Sequence, residues 1–184
     1  MEKIDISNAV ILDTETTGLD SDARIVEISV ICANSGEVLF SHLVNPQCKI
    51  PQEAQSVHGI SDSDVKDMPT FDLVWDTVKF HLFDKTVIIY NFNYDFRLIR
   101  QSLSDFGYPL HNLLHFIDGD CAMLWYAEFY GDWNEYHENF KWQSLTNACA
   151  QQGVDVSDLS AHRALADCEM TRRLIHAVNA KIGA

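Results

Sequence analysis

Asp13 and Glu15 stand two residues apart, directly after the apolar run Ala9-Val10-Ile11-Leu12. That run predicts a strand covered on both sides, and a period of two turns both carboxylates to one face. Like charges so placed repel, which costs stability unless a cation neutralises them. Taken alone, the Asp-x-Glu pair also reads as a solvated strand end. The tail that follows, Thr16-Thr17-Gly18-Leu19, is small and turn-forming, so its backbone can approach another molecule closely. Asp95 falls on the first turn of a helix expected after a second buried strand, Thr86 to Tyr90. The helix dipole favours an acid there, which makes it a capping candidate. The strand also carries it to the same sheet edge as Asp13. His162 and Asp167 open the last expected helix, five residues apart, or roughly 140° around an ideal helix. They share no helical face, and they converge only if His162 sits on a loop before the helix. Ser157 to Ala161 offers such a loop.

The elements that must position these residues follow from periodicity and punctuation. Ala9 to Leu12, Arg24 to Ala33 and Glu37 to Val44 read as three strands, the last two joined by the turn Asn34-Ser35-Gly36. Three strands so tightly joined imply an antiparallel meander. Pro51 opens a short helix that Gly59 can stop. Thr70 can cap a helix carrying Phe71, Val74, Trp75, Val78 and Leu82. A further helix carries Phe96, Ile99 and Leu103, and helices are expected over 121–130, 142–152 and 164–180. Trp133, Tyr136 and Phe140 have the spacing of one helical face, which suggests core. The other reading is a wall beside the site that tells single from double strands. The order of elements predicts an α/β fold, a mixed sheet with helices against its faces.

Composition narrows the function classes. The chain has 184 residues, 47% hydrophobic and 22% charged, which excludes a wholly disordered or fibrous protein. No apolar run approaches the roughly 18 residues of a membrane span, and the amino-terminal segment lacks a secretory pattern, so a cytoplasmic location is expected. Five scattered cysteines without Cys-x-x-Cys spacing read as reduced thiols. With 27 acids against 13 bases, giving a formal net charge of −14, wrapping of duplex DNA is disfavoured.

Three segments, Ile11-Leu12-Asp13-Thr14-Glu15-Thr16-Thr17-Gly18-Leu19, Asn91-Phe92-Asn93-Tyr94-Asp95 and His162-Arg163-Ala164-Leu165-Ala166-Asp167, resemble the three motifs of the DEDDh exonuclease family. Ser56-Val57-His58-Gly59-Ile60 is similar to that family's substrate-contacting element. The resemblance spans nearly the whole chain and implies a single exonuclease domain, 1–184, with a ribonuclease-H-like sheet. It implies 3′→5′ hydrolysis that releases nucleoside 5′-monophosphates with two Mg²⁺ ions, for which Mn²⁺ substitutes. By position, Asp13 would bridge both ions, Glu15 and Asp167 would hold the one carrying the attacking water, and Asp95 would support the second. His162 would be the general base; its spacing to Asp167 fits the histidine branch of the superfamily. Thr16, Thr17, Gly18, Leu19, His58, Asn91 and Tyr94 would contact the substrate. Tyr90 departs from the histidine common in relatives, which is expected to alter packing rather than activity.

The partner expected is the 3′ end of nucleic acid, single-stranded DNA in preference to RNA, without a membrane. A protein partner or homodimer stays open. An exoribonuclease, or a proofreading subunit working within a polymerase complex, are the alternatives. Phe92 and Tyr94 could stack on a base or pack in the core. Arg97, Arg100 and Arg163 are phosphate candidates, or solvated and salt-bridged side chains.

Overall fold

β1 (Ala9–Thr16) lies in the middle of the fold because both its faces are apolar. Val10 and Leu12 point to one core with Val87, Ile89, Trp75, Leu98 and Ile99, whereas Ile11 points to the other with Ile88, Tyr126, Cys168 and Leu174. In the computed structural model, which describes residues 1–115 and 117–183, five strands form one mixed sheet in the order β3-β2-β1-β4-β5. β2 (Ile25–Cys32) and β3 (Val38–Leu43) complete the expected meander, antiparallel throughout. β4 (Thr86–Ile89) and β5 (Asp118–Cys121) run parallel to β1 on its other side.

The helices divide between the two faces. α3 (Phe71–Leu82) and α4 (Phe92–Ser104) cover the Leu12 face. α5 (Ala122–Tyr130), α6 (Leu145–Gln152) and α7 (Ala164–Asn179) cover the Ile11 face. Two short helices, α1 (Gln52–His58) and α2 (Asp62–Val65), sit between β3 and α3 in the chain. Gly59 ends α1 in the left-handed conformation at φ +74°, its N–H donating to the Gln55 carbonyl, which a side chain would strain. Thr70 precedes α3 as expected, but its hydroxyl donates to Asp72 at 2.5 Å rather than capping the backbone.

Three expectations need correction. β5 was not anticipated because Asp-Gly-Asp-Cys lacks apolar alternation. The fit is nonetheless tight: a Cβ on Gly119 would lie 2.0 Å from the Val87 carbonyl oxygen. The expected helix over 142–152 starts only at Leu145, where Ser144 caps it by accepting the Asn147 N–H. Trp133, Tyr136 and Phe140 lie not on a helix but on a hairpin of β6 (Trp133–Asn134) and β7 (Asn139–Phe140). The Asn134 side chain accepts the N–H groups of Tyr136 and His137, and Glu138 adopts φ +51°, so a local turn overrides the spacing. Among the described residues, no helix is long and apolar enough to cross a membrane, and all five cysteines are free.

Candidate active site

The carboxyl end of β1 gathers the acids. Asp13 and Glu15 point, as period two requires, to the face that α7 covers, and Asp167 projects from the first turn of α7. One carboxylate oxygen from each of the three lies within 4.8 Å of the others. The register with β2 slips between Glu15 and Thr16, an irregularity that ends the pairing and turns the chain away. Asp95 reaches the same place from α4, whose cap residue is Asn91. It is buried and accepts a 2.6 Å hydrogen bond from the Thr14 hydroxyl. All four acids, with Tyr90, Asn91, Tyr94 and Leu145, line one cavity of about 160 Å³.

This crowding is electrostatically adverse. Burial, followed by repulsion from Asp95, Asp167 and Glu15, pushes the Asp13 carboxyl well above the usual range. Glu15 is pushed to about 8, by burial first and Asp167 second. Asp95 rises to about 7, again through burial, although the Thr14 hydrogen bonds oppose it. Asp167 is raised by burial, partly offset by the His162 N–H. Four carboxyls held together against their charge suit a hard divalent cation. The donors are all oxygen, the set Mg²⁺ and Mn²⁺ prefer, with no thiolate or imidazole ring among the clustered three.

His162 occupies the loop position that convergence demanded. It adopts φ +64°, is exposed, and its backbone N–H donates to Asp167 Oδ1 at 3.3 Å. The loop is anchored by a residue that sequence reasoning missed. Glu27, buried on β2 opposite Glu15, binds the Arg163 guanidinium at 2.6 and 3.0 Å and accepts the Ala164 N–H at 3.0 Å. The available signal was a single charge in the middle of Ile25-Val26-Glu27-Ile28, where a strand covered on both sides should have none. Arg163 is therefore committed to an ion pair, as one of the two readings held. Arg97 instead donates to the carbonyls of Leu19 and Asp20, bracing the turn after β1.

Beside the acids opens a second cleft of about 460 Å³, lined by Thr16, Thr17, Gly18, Leu19, His58 and Tyr94 among others. The Tyr94 hydroxyl lies 2.7 Å from Thr16 Oγ1 and donates to the Gly18 carbonyl at 2.9 Å. Leu19 is exposed on the rim, and Thr17 is partly spoken for, because its hydroxyl accepts the Arg24 N–H. His58 Nδ1 accepts the Ile60 N–H at 3.0 Å, so the neutral ring carries its proton on Nε2. That buried Nε2 has no hydrogen-bond partner among the described residues. Desolvation lowers the His58 pKa, which keeps the ring neutral. Phe92 does not reach the cleft; it stacks on Phe96 at 5.7 Å against the core. Tyr90 is buried and donates to the Gln143 carbonyl at 2.8 Å, a packing role as expected.

Residues 10–175 match the model of the exonuclease family of RNase T type. The chain belongs to this exonuclease family. Its relatives include an uncharacterised exonuclease of Escherichia phage 186, 41% identical over 95% of this chain and 89% of the phage protein. The DNA polymerase III epsilon subunit of Rickettsia prowazekii is 38% identical over 52% of this exonuclease and 44% of its own length. Thus the match spans under half of that subunit. The fold agrees with solved exonucleases. Exonuclease X, solved with 5′-overhanging duplex DNA, superimposes with a TM-score of 0.66 at 22% identity, covering 96% of this chain and 94% of that one. E. coli exonuclease I, solved with a dT13 oligonucleotide, gives 0.71 at 15% identity, covering 95% and 42%.

Proposed function

We propose that this exonuclease works 3′→5′, using divalent cations to release nucleoside 5′-monophosphates from the 3′ end of single-stranded DNA. The observation that carries this reading is the convergence of Asp13, Glu15 and Asp167 within 4.8 Å of one another, with Asp95 in the same cavity, beside a cleft of about 460 Å³. Kinship with a DNA polymerase subunit favours DNA over RNA.

When bound, two Mg²⁺ or Mn²⁺ ions supply the positive charge that steadies the scissile phosphate and eases ionisation of the attacking water. Asp13 would serve both ions, with Glu15 and Asp167 holding one and Asp95 supporting the other. The chain's own groups do the rest. His162 takes the proton of the water, and its exposed ring can pass that proton to solvent. His58, whose Nε2–H has no hydrogen-bond partner among the described residues, lines the cleft and would donate to the terminal nucleotide. The Tyr94–Thr16–Gly18 bonds hold the floor on which the terminal sugar and base rest, with Leu19 at the rim and Asn91 beside the acids.

The test is digestion of 5′-labelled single-stranded DNA, duplex DNA and RNA, each with Mg²⁺, Mn²⁺ or EDTA. A ladder shortening one nucleotide at a time, strongest on single-stranded DNA and absent in EDTA, is expected. Oligonucleotide products from internal cuts, or full turnover in EDTA, would overturn the mechanism; faster loss of RNA would reassign the substrate.

A further inference from the structure

The exonuclease reading leaves one question open in the molecule: where the rest of the strand goes. In an in-line displacement the attacking and leaving oxygens lie on opposite sides of phosphorus. The bond between Arg163 and Glu27 holds the His162 loop on the β2 side of β1. Asp95 follows β4, on the opposite side of β1. With His162 taking the proton of the attacking water, the leaving oxygen falls on the Asp95 side. That oxygen belongs to the next nucleotide, so the remaining strand departs past Asp95, Tyr90 and Leu145, which line the cavity there.

The segment leading to Leu145 carries exposed aromatic side chains. The Tyr90 hydroxyl fixes the Gln143 carbonyl, and Trp142, next in the chain, is 64% exposed. Only Gln143 and Ser144 separate it from Leu145, at most about 11 Å of extended backbone. Before it in the chain, the β6–β7 hairpin is braced by its own contacts. Trp133 packs edge-on against Phe140 at 5.0 Å, and Lys141 bonds Asp132 through both its backbone and its side chain. At its tip Tyr136 is 89% exposed. An exposed tryptophan and tyrosine on a braced arm invite a planar, apolar ligand. A phosphate track they are not, since Asp132, Glu135 and Glu138 surround them and Lys141 is already paired.

We propose that Trp142, with Tyr136 beyond it, forms a stacking rim for the unpaired nucleobases just 5′ of the bond to be cut. Stacking needs no charge complementarity, and every base has a face to offer, so an acidic protein can hold a strand this way. A base still paired in a duplex cannot lie on the rim, which makes the rim a selector for single strands. This inference rests on the exonuclease reading, and the experiment separates the two.

Binding of a fluorescein-labelled 12-nucleotide DNA is followed by anisotropy in EDTA at low salt, without cleavage. Trp142→Ala should weaken it roughly 5- to 150-fold, and Trp142→Phe should recover most of the loss. An abasic residue at the second or third position from the 3′ end should weaken the wild type comparably and Trp142→Ala no further. With Mg²⁺, hydrolysis of thymidine 5′-monophosphate p-nitrophenyl ester, which lacks an upstream nucleotide, should stay within twofold in Trp142→Ala. Equal binding by the two proteins, no wild-type binding at all, or an abasic penalty undiminished in Trp142→Ala would overturn the rim. A wild type that cuts neither substrate sinks the exonuclease reading instead, while the anisotropy series still decides the rim.

Discussion

Glu27 and Arg163, 136 residues apart in the chain, meet through two parallel hydrogen bonds of 2.6 and 3.0 Å. The pair is lopsided: the Glu27 side chain is 6% exposed, the Arg163 side chain 46%. Removing Arg163 strands a buried carboxylate, whereas Glu27→Gln leaves a guanidinium that water can reach and an oxygen that can still accept the Ala164 N–H. Arg163→Ala should therefore destabilise more than Glu27→Gln, the latter costing about 1–3 kcal/mol. Urea unfolding of the two variants checks the order. Because the pair anchors the loop of His162, Glu27→Gln should also lower turnover more than it raises KM. The reverse pattern would give Glu27 a purely structural role.

The acids make stability depend on pH and metal together. Glu15 and Asp95 have folded pKa values near 8 and 7, above their ordinary range, and Asp13 and Asp167 are also raised. A carboxyl raised in the folded state contributes stability that is complete below its unfolded pKa of about 4 and is lost as pH climbs through the folded value. In EDTA the melting temperature should fall between pH 5 and 8, and the stabilisation by Mg²⁺ should grow over the same interval. Glu169, lowered by Arg172 and Arg173, acts in the opposite direction and only below about pH 4–5. A melting temperature in EDTA that rises from pH 5 to 8 contradicts this account.

Relieving the repulsion should separate stability from function. Asp13→Asn removes the charge at the centre of the cluster without changing shape. In EDTA at pH 8 the variant should melt higher than the wild type, respond less to Mg²⁺, and have lost nuclease activity. Thermal melts with and without Mg²⁺ settle it; a variant less stable in EDTA speaks against mutual repulsion.

His162 needs a replacement that respects its backbone. At φ +64° an alanine adds strain, while asparagine tolerates the left-handed region. His162→Asn should lower turnover by roughly 10²–10⁴-fold, the loss expected of a missing general base, with Mg²⁺ stabilisation intact. Near-normal single-turnover rates would move the proton to another group.

Among the described residues, about half of the cations are already neutralised by ion pairs. Arg24, Arg163, Arg172 and Arg173 all pair with carboxylates, as do Lys79 and Lys141. A groove of about 560 Å³ between α7 and the β2–β3 pair contains three of these arginines, each already bound to Glu27, Glu169 or Asp158. Log affinity for single-stranded DNA should therefore fall with log salt at a slope of only about −1 to −2. A slope near −5 would reveal a basic track.

Much of this protein was legible in one dimension because its signals are local. Period two sent Asp13 and Glu15 to one face, and a continuous apolar run marked β1 as covered on both sides. The impossibility of His162 and Asp167 sharing a helical face placed the histidine on a loop, where it lies. What the chain order could not express was partnership across distance. β5 is held by pairing with β4 and by the close seating of Gly119, not by any pattern of its own. The hairpin of Trp133 and Phe140 shares its spacing with a helix over ten residues, and only the Asn134 turn and the cross-strand contact decide between them. Glu27 carries no motif; its meaning comes from Arg163, brought to it by α7 crossing the sheet. The pattern along a chain reports which way a side chain faces, and the fold alone decides what it faces.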